Sequence, residues 1–463
     1  MFKWLDKVTN NKTEPVKPPS ATSASAPGAP SRPAAPAKPV EVPLEAPVIT
    51  AEAIGREEEM RDGVLARKVL VDRAYHPSAY EFSLRPDSTQ HGENQAVMLV
   101  RLLAHLGSDR LSATRPTWIR LADTELDMPE LTLLPADRIV LAIEVANRSA
   151  DDDDRWLQTA RALRDRGFRI ALTNWNDSAL HKAWLLLAKF VEIDLDQHNP
   201  MDVGELPERL KTQLADLLVV ATGVDSYEVL EFCHRARYDL FRGAFLTNRE
   251  HWPRQPKINP ERVRICQFLN QLNSGAELND IAGDLRHSPE LSYRLLRYIN
   301  SAGMGLMVPI ASVQQGLVIL GRDKTYRWLT VLLFSASQGR SIDTALLEQA
   351  LVRARMLETL AKKRFNKVQV DELFTVGIFS LLDLLLKLPM SVALEPLKLP
   401  ATVYSALVEE GGPYASWLQL TTLAEGDDTP RLRDTAAQLD LRLGEVNEAQ
   451  LEALHWTQEV LAT

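Results

Sequence analysis

The sequence predicts an α/β domain followed by an all-α domain, behind an arm that lacks regular structure. Three observations carry this prediction. Between residues 62 and 246, short apolar strands alternate with helical segments. From residue 261 onward, apolar residues recur almost wholly at helical spacing. Residues 9–50 are rich in Pro, Ala, Ser and Thr, as in PPSATSASAPGAPSRPAAPAKP. That composition cannot bury enough apolar surface to offset the entropy of ordering, roughly 1–2 kcal/mol per residue for backbone alone. A chain of 463 residues has room for two globular domains and a tail. The expected divisions are an arm at 1–61, an α/β domain at 62–246, a linker at 247–260 and a helical domain at 261–463.

The arm is expected to be a mobile, partly extended tether. Its first residues, MFKWLDKV, can place Met1, Phe2, Trp4, Leu5 and Val8 on one helical face. A frayed terminus is the plain reading, and docking to a protein or membrane surface is the alternative. The α/β domain opens with strands at 64–72 and 79–86 around a short turn at His76-Pro77. A helix at 92–106 follows, then strands at 116–121 and 138–145. The Asp151–Asp154 run precedes RWLQTARALRDR, where acidic residues favour a helix start, and Gly167 closes that helix. Three strand–helix units come next: 168–173 with 178–188, 189–194 with 203–215, and 217–221 with 225–236. A last strand lies near 238–246. Repeated βα units need right-handed crossovers and favour a parallel sheet or barrel, with a doubly wound sheet as the fold-level rival.

The linker (TNREHWPRQPKINP) has three prolines and no periodicity. Beyond it, LSYRLLRYIN, YRWLTVLLFSAS and LLEQALVRARMLETLAKKRF read as helices. Ser288-Pro289 offers an N-cap and a first-turn proline. Gly275, Gly303, Gly321 and Gly339 punctuate the segments. Trp175, Trp184 and Trp328 lie in apolar periodic stretches and read as core. Arg294, Arg297, Arg353 and Arg355 read as solvated helix faces.

Several functions are excluded by what the chain lacks. A net charge of −9 argues against a general nucleic-acid binder. Two cysteines, Cys233 and Cys266, give no disulfide framework and fit a reducing cytoplasm. The best apolar run, 373–388, is too short for a span and holds Asp383 and Lys387. No glycine-rich phosphate loop opens any helix. None of the nine histidines forms HExxH or a His-Asp pair, so zinc and nucleophilic hydrolase chemistry lacks support.

The strand ends of the α/β domain carry Thr173-Asn174-Trp175-Asn176, Glu192-Ile193-Asp194 and Thr222-Gly223-Val224-Asp225. Together with Tyr80-Glu81-Phe82-Ser83-Leu84-Arg85, they resemble the EAL family of cyclic-di-GMP phosphodiesterases over residues 62–250. The resemblance implies a (β/α) barrel whose carboxylates hold two divalent metals. Glu81 matches the first metal-binding glutamate. The other family positions fall on Arg120, Ala142 (Glu144 if the register slips by two), Thr173, Asn174, Glu192, Thr222 and Arg242. Two-metal hydrolysis needs several converging carboxylates, and Glu81 and Asp194 are only remnants of that set. The barrel therefore reads as a degenerate EAL domain with no catalytic and no metal-binding residue.

Residues 256–450 resemble HDOD domains, relatives of HD phosphohydrolases, through LRHSPELSYRLLRYINSAGMG, VPIASVQQGLVILG and FTVGIFSLLDLLLKLPM. Ser380-Leu381 stands where an active HD enzyme keeps its histidine–aspartate pair. The combined reading is a cytoplasmic, non-enzymatic EAL–HDOD signalling or scaffold protein that acts through protein contacts without a cofactor. Its alternatives are a cyclic-di-GMP effector that binds without hydrolysis and a residual phosphodiesterase. Asn300 and Ser301, in the INSAG segment, are expected to serve structure or partner contact, with the Asn300 amide linking the helix before it to the one beginning near Ile310.

Overall fold

The computed structural model describes residues 63–85, 95–105, 115–146, 150–248, 260–300, 310–335, 341–426 and 428–461. The arm, most of the linker and Ser301 lie outside them. Strand β1 (Val64–Asp72) turns directly into β2 (Pro77–Arg85). In that turn Asp72 Oδ1 accepts hydrogen bonds from the backbone N–H of Ala74 and His76. So short a connection can only give an antiparallel pair. Every later connection is long enough to cross over. The strands β3 (Thr117–Ala122), β4 (Ile139–Glu144), β5 (Arg169–Thr173), β6 (Phe190–Asp194), β7 (Leu218–Thr222) and β8 (Leu240–Arg242) therefore run parallel to β2. β8 closes on β1, giving an eight-stranded barrel in sequence order. The doubly wound sheet is thereby excluded.

Helices α1 (Gln95–His105), α2 (Ala150–Asp165), α3 (Ala179–Leu185), α4 (Pro200–Gln213) and α5 (Tyr227–Arg235) occupy the connections. β3 reaches β4 through 3-10 turns alone. The inside of the barrel is packed by Leu70, Ala79, Trp118, Val140, Ala142, Ala171, Phe190, Val220 and Leu240. Alternation along each strand then puts Lys68, Glu81, Arg120, Glu192 and Arg242 one layer nearer the C-terminal mouth.

The helical part comprises α6 (Pro260–Asn273), α7 (Leu278–Leu285), α8 (Pro289–Ile299) and α9 (Val313–Ser335). It continues with α10 (Ser341–Ala361), α11 (Lys367–Phe379), α12 (Leu382–Leu386), α13 (Met390–Leu394) and α14 (Ala401–Tyr404), then α15 (Ala415–Glu425), α16 (Thr429–Gln438) and α17 (Leu443–Leu461). α9 is two helical runs that meet at Gly321, whose φ of 72° suits glycine. Pro289 holds the first position of α8 as expected, but the Ser288 hydroxyl makes no cap bond. Trp175, Trp184 and Trp328 are all buried.

Barrel and helices share one continuous apolar core, and a polar seam runs between them. Asn447 of α17 accepts from the Leu65 N–H at 3.0 Å and donates to Gly63 O at 2.7 Å, so a side-chain amide serves as a backbone partner for β1. Arg67 of β1 donates to Gln349 of α10 at 3.1 Å. Arg115, just before β3, contacts both oxygens of Glu348 at 2.6 and 2.7 Å and donates to the Tyr80 hydroxyl at 2.7 Å. The guanidiniums of Arg67 and Arg115 lie over the Tyr80 ring, 5.4 and 5.8 Å from its centroid. Burial lowers the pKa of Arg67 and moves Arg115 down to about 10.

Candidate functional site

At the barrel mouth, two carboxylates and two guanidiniums form one cluster. Arg120 Nη2 lies 2.7 Å from Glu192 Oε2 and 3.6 Å from Glu81 Oε2. Arg242 meets Glu192 in a bidentate fork, Nη1 to Oε1 at 3.0 Å and Nη2 to Oε2 at 3.1 Å, and its Nη1 also pairs with Glu81. Both glutamates are buried, whereas the Arg120 side chain keeps 31% of its exposure. Burial pushes the Glu192 carboxyl up, and Arg120 opposes that shift. The sequence shows Arg120, Glu192 and Arg242 as three departures from a motif. The structure shows that they answer one another: a glutamate stands between two arginines, so no charge is left uncompensated.

Around the rim, the strand-end residues form local bonds. Thr173 donates to Ile143 O, and Thr222 to Ile193 O. Asn174, with a positive φ of 51°, donates from Nδ2 to Glu144 Oε1 at 2.9 Å. Asp194 accepts from the Asp196 N–H and from Gln197 Nε2, so it turns along the rim while Glu81 joins the central cluster. Asp225 accepts from the Ala244 N–H. Gly243 beside it has no room for a side chain, since an added Cβ would strike the Val224 backbone. Ala142, paired in register with Arg120, packs in the barrel interior.

In the helical part, Ser380 donates to Gly377 O at 2.7 Å and accepts from Arg353 Nη1 at 3.1 Å. Arg353 also forks onto Glu425 at 2.7 and 2.5 Å. Arg353 and Ser380 border a cavity of about 660 Å³ that Asp383, Lys387 and Arg431 also line. Arg353 is thus a buried clasp, and Arg355 is paired with Glu358 and Glu452. The expectation of solvated faces fails for both, because acidic partners from distant segments cover them; Arg297 is exposed. Asn300 Nδ2 donates to Ile310 O at 2.7 Å, and the Ile310 N–H donates back to Oδ1 at 2.6 Å. Cys233 and Cys266 are free and buried, and burial pushes their thiols up to about 12 and 11.

The divalent metals implied for an EAL barrel do not fit the residues at the mouth. Glu81 and Glu192 already serve two guanidiniums, and a cation would have to displace them. Among the described residues, no group of three or more His, Cys, Asp and Glu is arranged to hold a metal ion. No described helix is long and apolar enough to cross a membrane.

A family model described as the HDOD domain matches residues 256–390. The cyclic di-GMP phosphodiesterase CdgJ of Vibrio cholerae is 24% identical over 415 residues, covering 87% of this chain and 94% of its own. The uncharacterised protein YuxH of Bacillus subtilis is 29% identical over 417 residues, covering 86% and 98%. Among solved structures, the Bacillus subtilis YkuI protein, with an EAL domain in complex with cyclic-di-GMP and calcium, aligns at 15% identity. Its TM-score is 0.34, covering 42% of this chain and 57% of that one. At such a score the fold assignment rests on the barrel's own strand order and not on the superposition. The Vibrio relative overturns one expectation. A chain without enzymatic function was expected from vacant motif positions, yet a protein alike over nearly the whole length is named an enzyme. Counting lost motif residues shows which side chains are gone. It does not reveal what the remaining ones can do.

Proposed function

Since the chain is an EAL–HDOD protein, we propose that it acts in cyclic-di-GMP signalling, with the barrel (62–246) facing the nucleotide and the helical domain (261–463) making protein contacts. The observation that carries this reading is the seam. β1 is bonded to α10 and α17 through Arg67 and through the backbone at Gly63 and Leu65. What happens in the barrel wall is therefore felt in the helical domain. The whole-length match to the Vibrio phosphodiesterase, across both parts, supports the assignment to this signalling chemistry. Arg120 and Arg242 are suited to a phosphodiester because a planar guanidinium forks onto phosphate oxygens as it does onto a carboxylate.

A second reading, hydrolysis of cyclic-di-GMP by this chain, is favoured by the name of that relative. It requires acidic groups other than the engaged Glu81 and Glu192, and the rim offers Glu144, Asp194, Asp196 and Asp225. One experiment separates the readings: calorimetry of the full chain with cyclic-di-GMP, with and without magnesium, followed by chromatography of the nucleotide. Heat without product supports a binding role, and Arg242→Ala should then abolish the heat. A linear dinucleotide product establishes hydrolysis. Neither heat nor product sinks the nucleotide-facing role of the barrel.

A further inference from the structure

Side chains on β2 alternate between two environments. Tyr80 points out into the seam, held by Arg115 and flanked by Arg67. Glu81, the next residue, points inward to Arg120 and Arg242. β1 repeats the pattern in register: Arg67 faces Gln349, and Lys68 stands opposite Glu81. One peptide unit therefore separates the outer contacts from the mouth cluster, and a peptide unit is rigid. The outer contacts end on one helix, because Glu348 and Gln349 are consecutive on α10. Glu348 is 2% exposed and grips Arg115 through both oxygens. In a dry setting such a charge-assisted contact holds geometry closely.

We propose that Glu348 is a positioning residue for the barrel mouth: from the helical domain it fixes, through Arg115 and Tyr80, the strand segment that aims Glu81 at Arg120 and Arg242. α10 is suited to transmit a change in the helical domain, since one turn further along Arg353 clasps Ser380 and Glu425. A shift of α10 would loosen Arg115, then Tyr80, then the carboxylate inside. This positioning acts on the shape of the mouth and is independent of whether the mouth binds or hydrolyses nucleotide.

The test reads Arg120, which lies in the mouth and not in the seam. The full chain is treated with phenylglyoxal at a temperature where circular dichroism shows each variant folded, and modification of Arg120 is followed by peptide mass spectrometry. Glu348→Ala should raise the rate several-fold. Glu348→Gln keeps the length and an acceptor oxygen for Arg115, so the rate should return toward wild type. Asn447→Ala weakens the same seam at the backbone of Gly63 and Leu65, away from Tyr80, and should leave the rate unchanged. Equal rates in wild type and Glu348→Ala would overturn the proposal. So would an equal rise in Asn447→Ala, which would mean that any loosening of the seam opens the mouth. Should Glu348→Ala fail to fold, Arg115→Gln cuts the same link from the barrel side and is read the same way.

Discussion

Glu192 shows how a residue's meaning depends on its neighbours in space. Judged by the motif it resembles, it is one of the positions that depart from the family pattern. In the barrel its carboxylate is the hub of Arg120 and Arg242, at 2.7 to 3.1 Å. Removing one partner of a buried ion pair strands the others, at a cost of about 3–5 kcal/mol, whereas replacing the whole group with apolar side chains is often neutral. Glu192→Ala is therefore expected to lower stability by about 3–5 kcal/mol in urea titration. Arg242→Met together with Glu192→Leu should recover most of that loss, because the stranded charge is removed with its partner. If the double variant is no more stable than Glu192→Ala, the cluster is not the stabilising unit described. Asn300 makes the contrasting case. Its two bonds to Ile310 bridge a gap of ten residues, close enough in sequence for an asparagine after an amphipathic helix to point to its partner.

Among the elements, strands and helices were legible because their signals are local. β1, β5 and β6 begin and end within a residue of the apolar runs that predict them. Gly167 ends α2 with backbone bonds from Gly167 N to Arg164 O and from Phe168 N to Leu163 O. The seam was not legible. Arg115 and Glu348 are 233 positions apart, and Arg67 and Gln349 are 282 apart; no periodicity links them. The same blindness explains why Arg353 was expected in solvent. A close crossing is another such feature. Gly377 of α11 lies so near α10 that an added Cβ would meet the Ala354 backbone and come within 2.8 Å of the Arg353 carbonyl carbon. Backbone cannot yield as a side-chain tip does. Gly377→Ala is thus expected to destabilise the protein by about 1–3 kcal/mol, against the small gain alanine brings to an unpacked helix. A melting temperature at or above wild type would mean that the two helices separate freely, contrary to the packing described.

The molecule as a whole couples two parts through buried ionisable groups, and this gives its stability a pH dependence. Burial pushes the Glu348 carboxyl from an ordinary 4.5 up to about 8, with the Arg67 guanidinium pulling the other way. Arg115 meets it directly, and Tyr80, Gln349, Arg353 and Glu425 are further polar groups around it. The folded state holds a proton that the unfolded chain releases at lower pH. Its contribution to stability is therefore complete below about 4.5, declines as the pH rises, and is gone above about 8. Other groups titrate across the same range, so the informative quantity is a difference. Glu348→Gln keeps the size of the side chain and cannot ionise. The gap in melting temperature, wild type minus variant, should therefore shrink steadily from about pH 5 to about pH 8 and level off beyond it. A gap that stays constant, or that widens with pH, would place the carboxyl in its charged form throughout. The Arg115 contact would then act as a permanent ion pair between barrel and helical domain, insensitive to pH near neutrality.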